Sequence, residues 1–341
     1  MKKVIALVLA LLMIFTLASC GKKTLVLYYP YDESSLTAVN ATVMRDWLAE
    51  QLPDYKVEVE YNKTASGWNL AEKMLKAKAD GNTLMIVGLD ALTGYVKGDW
   101  KYAPTDTSQF NIVTGFTQPY PYSGCMLITQ ANAPYSTWAE LESYAKAHNK
   151  EVKVADRAGS IMTTKLKSLF NQTGLSQYVT WTPATSDSVK TGIANGEINV
   201  AIFDETSAVK YLTDTANYKA IINCRADNNF DYYDPATKGL DLIKKVPTLL
   251  DVFGAAKAEQ YNVPNTTAII CKAGTPADTI AALKKAIDAL GDVPQSTDDN
   301  SFYVRQRVNG GTSKYYTWPS ADILKEWTRL LPVITTIEKG N

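Results

Sequence analysis

The sequence predicts an α/β protein of two lobes, the second inserted into the first. Short apolar runs recur along the chain, each followed by a polar turn and a helical pattern: Thr24–Tyr29, Val57–Tyr61 and Thr83–Val87 early, Val152–Ala155, Val179–Ala184 and Gly196–Asp204 later. Strand, turn and helix repeated in this order is the pattern of a parallel α/β sheet. The stretch Ser136–Asp204 completes one such unit by itself, and the 341 residues are enough for two domains. The second lobe is therefore expected at 129–225, and the first at 20–128 together with 226–341. Strands near Cys125 and Cys224 are expected to carry the chain between the lobes.

Residues 1–19 read as a targeting segment. Lys2 and Lys3 precede an apolar run from Val4 to Phe15, too short to span a membrane, and Leu17-Ala18-Ser19-Cys20-Gly21 reads as a lipobox. The mature chain is expected to start at Cys20, exported and held on the outer face of a membrane by acyl chains on that cysteine. The alternative is an ordinary secretory signal with a chance cysteine.

Composition narrows the function classes. Lys+Arg and Asp+Glu balance at 35 each, so no broad field steers polyanions, nucleic acid is not an expected partner, and an anion must be captured locally. Twenty tyrosines and seven tryptophans suit an exported protein that handles polar or ring-bearing solutes. With Cys20 lipidated, Cys125, Cys224 and Cys271 remain, an odd number in apolar runs. They read as buried thiols acting as small hydrophobes, or as one disulfide and one free thiol. The sole histidine, His148, lies at a polar helix end, so no ordinary zinc site and no cofactor is expected.

Taken in order, Thr24–Tyr29 is a buried strand leading into the polar turn Pro30–Ser35, and Val39, Val43, Trp47 and Leu48 form one face of a helix. Strand Val57–Tyr61 leads through Ala65-Ser66-Gly67-Trp68 into a helix over Leu70, Met74 and Leu75. Asp80-Gly81-Asn82 turns into strand Thr83–Val87, and Gly94–Thr107 reads as a surface loop. Tyr122–Gln130 is extended. In the second unit, the turn Asp156–Ser160 opens a helix through Leu166, Leu169 and Phe170. Ser207–Leu212 reads as a helix, Lys219–Cys224 as a strand, and Arg225–Lys245 as a surface excursion. Pro247–Gly254 is expected back in the first lobe. Strand Thr267–Cys271 precedes a helix over Ala277–Leu290, with Thr275 as cap and Pro276 in its first turn, ended by Gly291. The last helix starts near Ser320, with Pro332 expected to kink or interrupt it.

Asp80–Leu84, Thr137-Trp138-Ala139-Glu140-Leu141, Ala158-Gly159-Ser160, Gly196-Glu197-Ile198-Asn199-Val200, Val246–Leu249 and Ala273–Ala277, in this order, resemble the substrate-binding proteins of tripartite tricarboxylate transporters, the Bug family. The resemblance covers nearly all of the mature chain. It implies a two-lobed periplasmic-binding-protein fold of type II, a monomer that closes on a small organic acid, and delivery to a two-subunit membrane permease. The first turn departs from the family pattern, carrying Asp32 and Glu33 and no glycine, which argues for a ligand less anionic than a tricarboxylate.

The candidate ligand-binding residues lie on the turns. Tyr31, Ser34 and Ser35 come from the first, Ser66, Gly67 and Trp68 from the second. The third supplies Arg157, Ala158, Gly159 and Ser160, and Asp204 ends a strand. Helix-start amides carry partial positive charge, Gly159 allows close backbone approach, Ser160 adds a hydroxyl and Arg157 a charge. Arg157 reads equally as a solvated charge, and Asp204 equally as a helix N-cap. Tyr31 and Trp68 read as an aromatic wall or as plain packing. An exported enzyme is disfavoured because Gly-x-Ser-x-Gly and a metal cluster are missing from the sequence. A ligand sensor without a permease stays open.

Overall fold

The computed structural model describes residues 22–31, 33, 38–62, 67–117, 124–157, 160–230, 239–264, 266–290 and 316–339. Their strands form two sheets. The first contains β1 (Lys23–Tyr29), β2 (Tyr55–Tyr61), β3 (Thr83–Gly88), β4 (Phe110–Thr117), β10 (Thr267–Lys272) and β11 (Tyr316–Trp318), in the order β11-β4-β10-β3-β1-β2. The second contains β5 (Cys125–Gln130), β6 (Val152–Asp156), β7 (Val179–Pro183), β8 (Val200–Asp204) and β9 (Tyr218–Asn223), in the order β7-β6-β8-β5-β9. Each has a parallel triple, β2-β1-β3 or β7-β6-β8, flanked by one antiparallel strand, β10 or β5. The expected mixed α/β fold with two sheets is observed.

Period-two alternation builds the first lobe's two cores. Leu25, Leu27 and Tyr29 of β1 face α1 (Ala38–Gln51) and α11 (Ala277–Asp288), packing with Met44, Leu48 and Ile287. Val26 and Tyr28 face the other way, toward α2 (Trp68–Lys76), α3 (Leu89–Lys97) and α12 (Ser320–Lys339), where Met74, Leu92 and Trp327 lie. Trp327 is fully buried and its Nε1 donates to Thr266 Oγ1 at 2.5 Å, so a large apolar body keeps its one polar atom satisfied. The region expected as a loop over Gly94–Thr107 begins inside α3, and Trp100 is buried there because its indole covers Gly94, where a Cβ would lie 2.8 Å from Trp100 Cδ1. Ahead of α11, Pro276 stands at the N-cap and the Thr275 hydroxyl donates to Lys272 O, so Thr275 closes the turn and does not cap the helix. The last helix runs through Pro332 as one element.

The second sheet is built likewise. Cys125 and Leu127 of β5 face α4 (Trp138–Ala147) and α5 (Ile161–Gln172), while Met126 and Ile128 face α6 (Ser186–Asn195) and α7 (Glu205–Thr213). Thr137 and Glu140 cap α4 reciprocally. Residues beyond β9 pack here as well. Ile243 of α8 (Leu240–Ile243) joins the core under α7, while Leu249 of α9 (Leu249–Phe253) and Ala258 of α10 (Ala255–Tyr261) join the core under α4 and α5. Phe253 meets Trp138 edge to face at 5.7 Å. This places 240–261 with the second sheet, where the sequence alone suggests the first lobe and, for Arg225–Lys245, a surface excursion. Arg225 is itself fully buried.

The two bodies touch through α5. Ile161 packs against the core beside α12, and Thr164 Oγ1 donates to Glu338 Oε1 of α12 at 3.4 Å. Glu338 also pairs with Lys97 of α3 at 3.1 Å.

Candidate ligand-binding site

In open parallel sheets, ligands sit beyond the carboxyl ends of the strands, where turns enter helices. On the first sheet, the turns after β1 and β2 are fastened together. The buried Asn62 donates its backbone N–H to Tyr29 O at 2.9 Å and to Tyr31 O at 3.2 Å, and its Nδ2 donates to Pro30 O at 3.1 Å. Gly67 opens α2 at φ 74°, and a Cβ there would lie 2.8 Å from Pro30 Cβ. Left-handed backbone and this close approach both require glycine. Trp68 follows and packs on Trp100 and Tyr102 at 5.6 and 6.0 Å between centroids. Its packing role is thus real, and it stays partly exposed.

Tyr31 is 37% exposed, with its ring set edge-on to Tyr29 at 5.3 Å. Its hydroxyl end turns inward and hydrogen-bonds the Asp90 carboxylate. Burial, reinforced by that carboxylate, holds the phenol protonated well above its usual range. Asp90 lies in the first turn of α3, directly after β3. Burial pushes its carboxyl up, opposed by the bond from Tyr31 and by the amides of Asp90 and Ala91. Asp90 is absent from the sequence-derived set; its one signal is an acid in the second position after the strand-ending Gly88.

On the second sheet, Arg157 follows β6. Its N–H donates to Thr163 Oγ1 at 2.9 Å, and its Nη2 donates to the carbonyl oxygen of Ile202 in β8 at 3.0 Å. The guanidinium therefore folds over the sheet edge toward Asp204, and is not a freely solvated charge; burial lowers its pKa, while Cys125, Asp204 and Tyr211 favour the cation. Asp204 is the N-cap of α7, its Oδ1 accepting from Ser207 N at 2.8 Å. Ser160 is the N-cap of α5 but its side chain makes no cap hydrogen bond. The structure thus gathers Arg157 and Asp204 at one edge, and Tyr31, Gly67 and Trp68 at the other. Ser34, Ser35, Ser66, Ala158, Gly159 and the lipidation residue Cys20 lie outside the described residues.

Behind the second edge, Lys165 of α5 is buried beside Cys125, and burial raises the Cys125 thiol to about 11 despite that lysine. Burial also pushes Cys224 up. Cys125, Cys224 and Cys271 are all buried free thiols. Where β5 meets β9, Asn223 Nδ2 donates to Glu205 Oε1 at 2.5 Å, Arg225 lies 3.5 Å from Glu205 Oε2 and pairs with Asp227, and Phe230 covers its guanidinium at 4.4 Å. Among the described residues there is no group of three or more metal-ligating side chains. His148 stacks on Tyr144 at 4.1 Å on the surface, as its polar context suggests.

No family model and no curated sequence matches the chain. Its fold is similar to that of a TctC solute binding protein from Polaromonas, with 18% identity, 94% of this chain and 100% of that chain covered, and a TM-score of 0.68. It is similar also to Rpa4515 of R. palustris with adipate (18% identity, 94% and 98% covered, TM-score 0.62) and to the periplasmic binding protein BugD (14% identity, 94% and 97% covered, TM-score 0.61). The chain has the two-lobed fold of the periplasmic binding proteins. Among the described residues, no helix is long and apolar enough to cross a membrane.

Proposed function

We propose that this chain is an extracytoplasmic solute-binding lipoprotein, not an enzyme. It captures a small organic acid between its lobes and passes it to a two-subunit permease of the tripartite tricarboxylate type. The likeness in fold to a TctC solute binding protein over 94% of the chain carries the reading. The N-terminus of α5 supports it, because helix-start amides and the Ser160 hydroxyl suit a carboxylate. From the sequence we assign Ala158, Gly159, Ser34, Ser35 and Ser66 to the same binding site. We place the second lobe at 129–225 and add to it 240–261, whose helices pack with the second sheet. The protein acts as a monomer held to the membrane through Cys20.

A micromolar ligand needs about 8 kcal/mol, more than one helix terminus provides, so both lobes must contribute and binding must be coupled to closure. The test is thermal stabilisation by a panel of mono-, di- and tricarboxylates for the parent and for Gly159→Val. Stabilisation of the parent and its loss in the folded variant support the site. Equal stabilisation of both contradicts it. For the anchor, Cys20→Ser is expected to leave the detergent phase; unchanged partitioning refutes lipidation.

A further inference from the structure

The binding reading leaves open what the first lobe asks of the ligand, and Asp90 answers this. α3 begins directly after β3, and its first-turn amides, those of Asp90 and Ala91, are already taken by the Asp90 carboxylate. The position where a helix dipole would favour a ligand anion is therefore filled by the protein's own anion. β1 and β3 are neighbours in register, Tyr28 opposite Met85, so Tyr31 and Asp90 converge at one sheet edge. The Tyr31 hydroxyl is committed as a donor to Asp90. Its oxygen keeps lone pairs that can accept from a ligand donor. Gly88 gives the carboxylate its place, since a Cβ there would lie 2.6 Å from Asp90 Oδ1. The opposite edge carries the Arg157 guanidinium and the α5 helix start, and Asp204 there caps α7 with its Oδ1.

We propose that the ligand carries one carboxylate, seated on the second lobe, and an N–H donor, ammonium or amide, at its other end, with Asp90 selecting against a second carboxylate there. This rests on the binding reading above. Like charge disfavours a diacid at Asp90, whereas an ammonium gains a charge-assisted hydrogen bond from the same group.

The experiment is calorimetry with length-matched pairs: succinate against γ-aminobutyrate, and adipate against ε-aminocaproate. The parent protein is expected to bind at least one amino acid on the order of tenfold more tightly than its matched diacid, a difference of about 1.4 kcal/mol. Asp90→Asn should shrink or reverse that ratio, and Tyr31→Phe should move it the same way by less. A parent that prefers the diacids, or a ratio unchanged in Asp90→Asn, overturns the inference while leaving a carboxylate-binding cleft intact. If Asp90→Asn does not fold, the parent's ratio and Tyr31→Phe decide. Binding of neither member of either pair overturns the inference together with the reading beneath it.

Discussion

The guanidinium of Arg157 lies across the end of β8, its Nη2 3.0 Å from the carbonyl oxygen of Ile202. This contact joins two parallel strands, so Arg157 positions the sheet edge as well as charging it. Arg157→Ala removes one partly buried hydrogen bond, worth about 1 kcal/mol. The melting temperature should fall by roughly 1–2 °C. A freely solvated arginine would leave it unchanged, which scanning calorimetry of the two proteins would reveal.

Gly124 sits where the chain enters the second sheet. A Cβ at this position would lie 2.2 Å from Glu205 Oε1 and 2.3 Å from Asn223 Oδ1. Both side chains are buried, at 2% and 0% exposure, so neither can swing aside. Gly124→Ala is expected to destabilise by about 1–3 kcal/mol through overpacking. Denaturant unfolding showing parental stability would refute the crowding.

Glu338 holds α12 against α5 and α3 at once, accepting from Thr164 at 3.4 Å and pairing with Lys97 at 3.1 Å. Removing it loosens a contact between lobes whose geometry must change on closure. Glu338→Ala should enlarge the radius of gyration of the unliganded protein in small-angle scattering. The ion-pair share of the effect should fade with salt, because such pairs are worth at most about 1 kcal/mol. An identical scattering profile for parent and variant argues that this contact does not hold the lobes.

The thiols give a pH prediction. Burial holds Cys125 at about 11 and pushes Cys224 and Cys271 up as well. Below its folded pKa a thiol is neutral, and only the thiolate is a nucleophile. Iodoacetamide at pH 8 should therefore label none of the three in the native protein and all three after denaturation, read by mass spectrometry. Rapid native labelling would contradict both their burial and their protonation.

Much of the fold was legible because the parallel triples announce themselves. β1, β2 and β3, and again β6, β7 and β8, are short apolar runs followed by polar turns, a local pattern. What was not legible is tertiary. Leu249, Phe253 and Ala258 look the same whichever sheet they cover, and only the packing against Trp138 assigns them to the second. β4 falls outside the expected strands, and the end of α3 reads as loop from Gly94, which the indole of Trp100 requires there. At the site, Arg157, Asp204 and Tyr31 stand on the expected turns. Ser207 stands where an Asp204 cap places its partner, but Ile202 and Asp90 lie on other elements, and no spacing rule names them. Asp90 in particular matters through its neighbour Tyr31, 59 positions away in the chain and adjacent only once β1 pairs with β3.

A ligand held between the lobes is the central expectation. Native mass spectrometry of the full-length protein as purified tests it most directly. The expected result is a population carrying one small organic acid per chain, released on denaturation, with Gly159→Val purified without it. A single bare mass for the parent, together with no carboxylate or amino acid of the panels above restoring an adduct, would contradict the account.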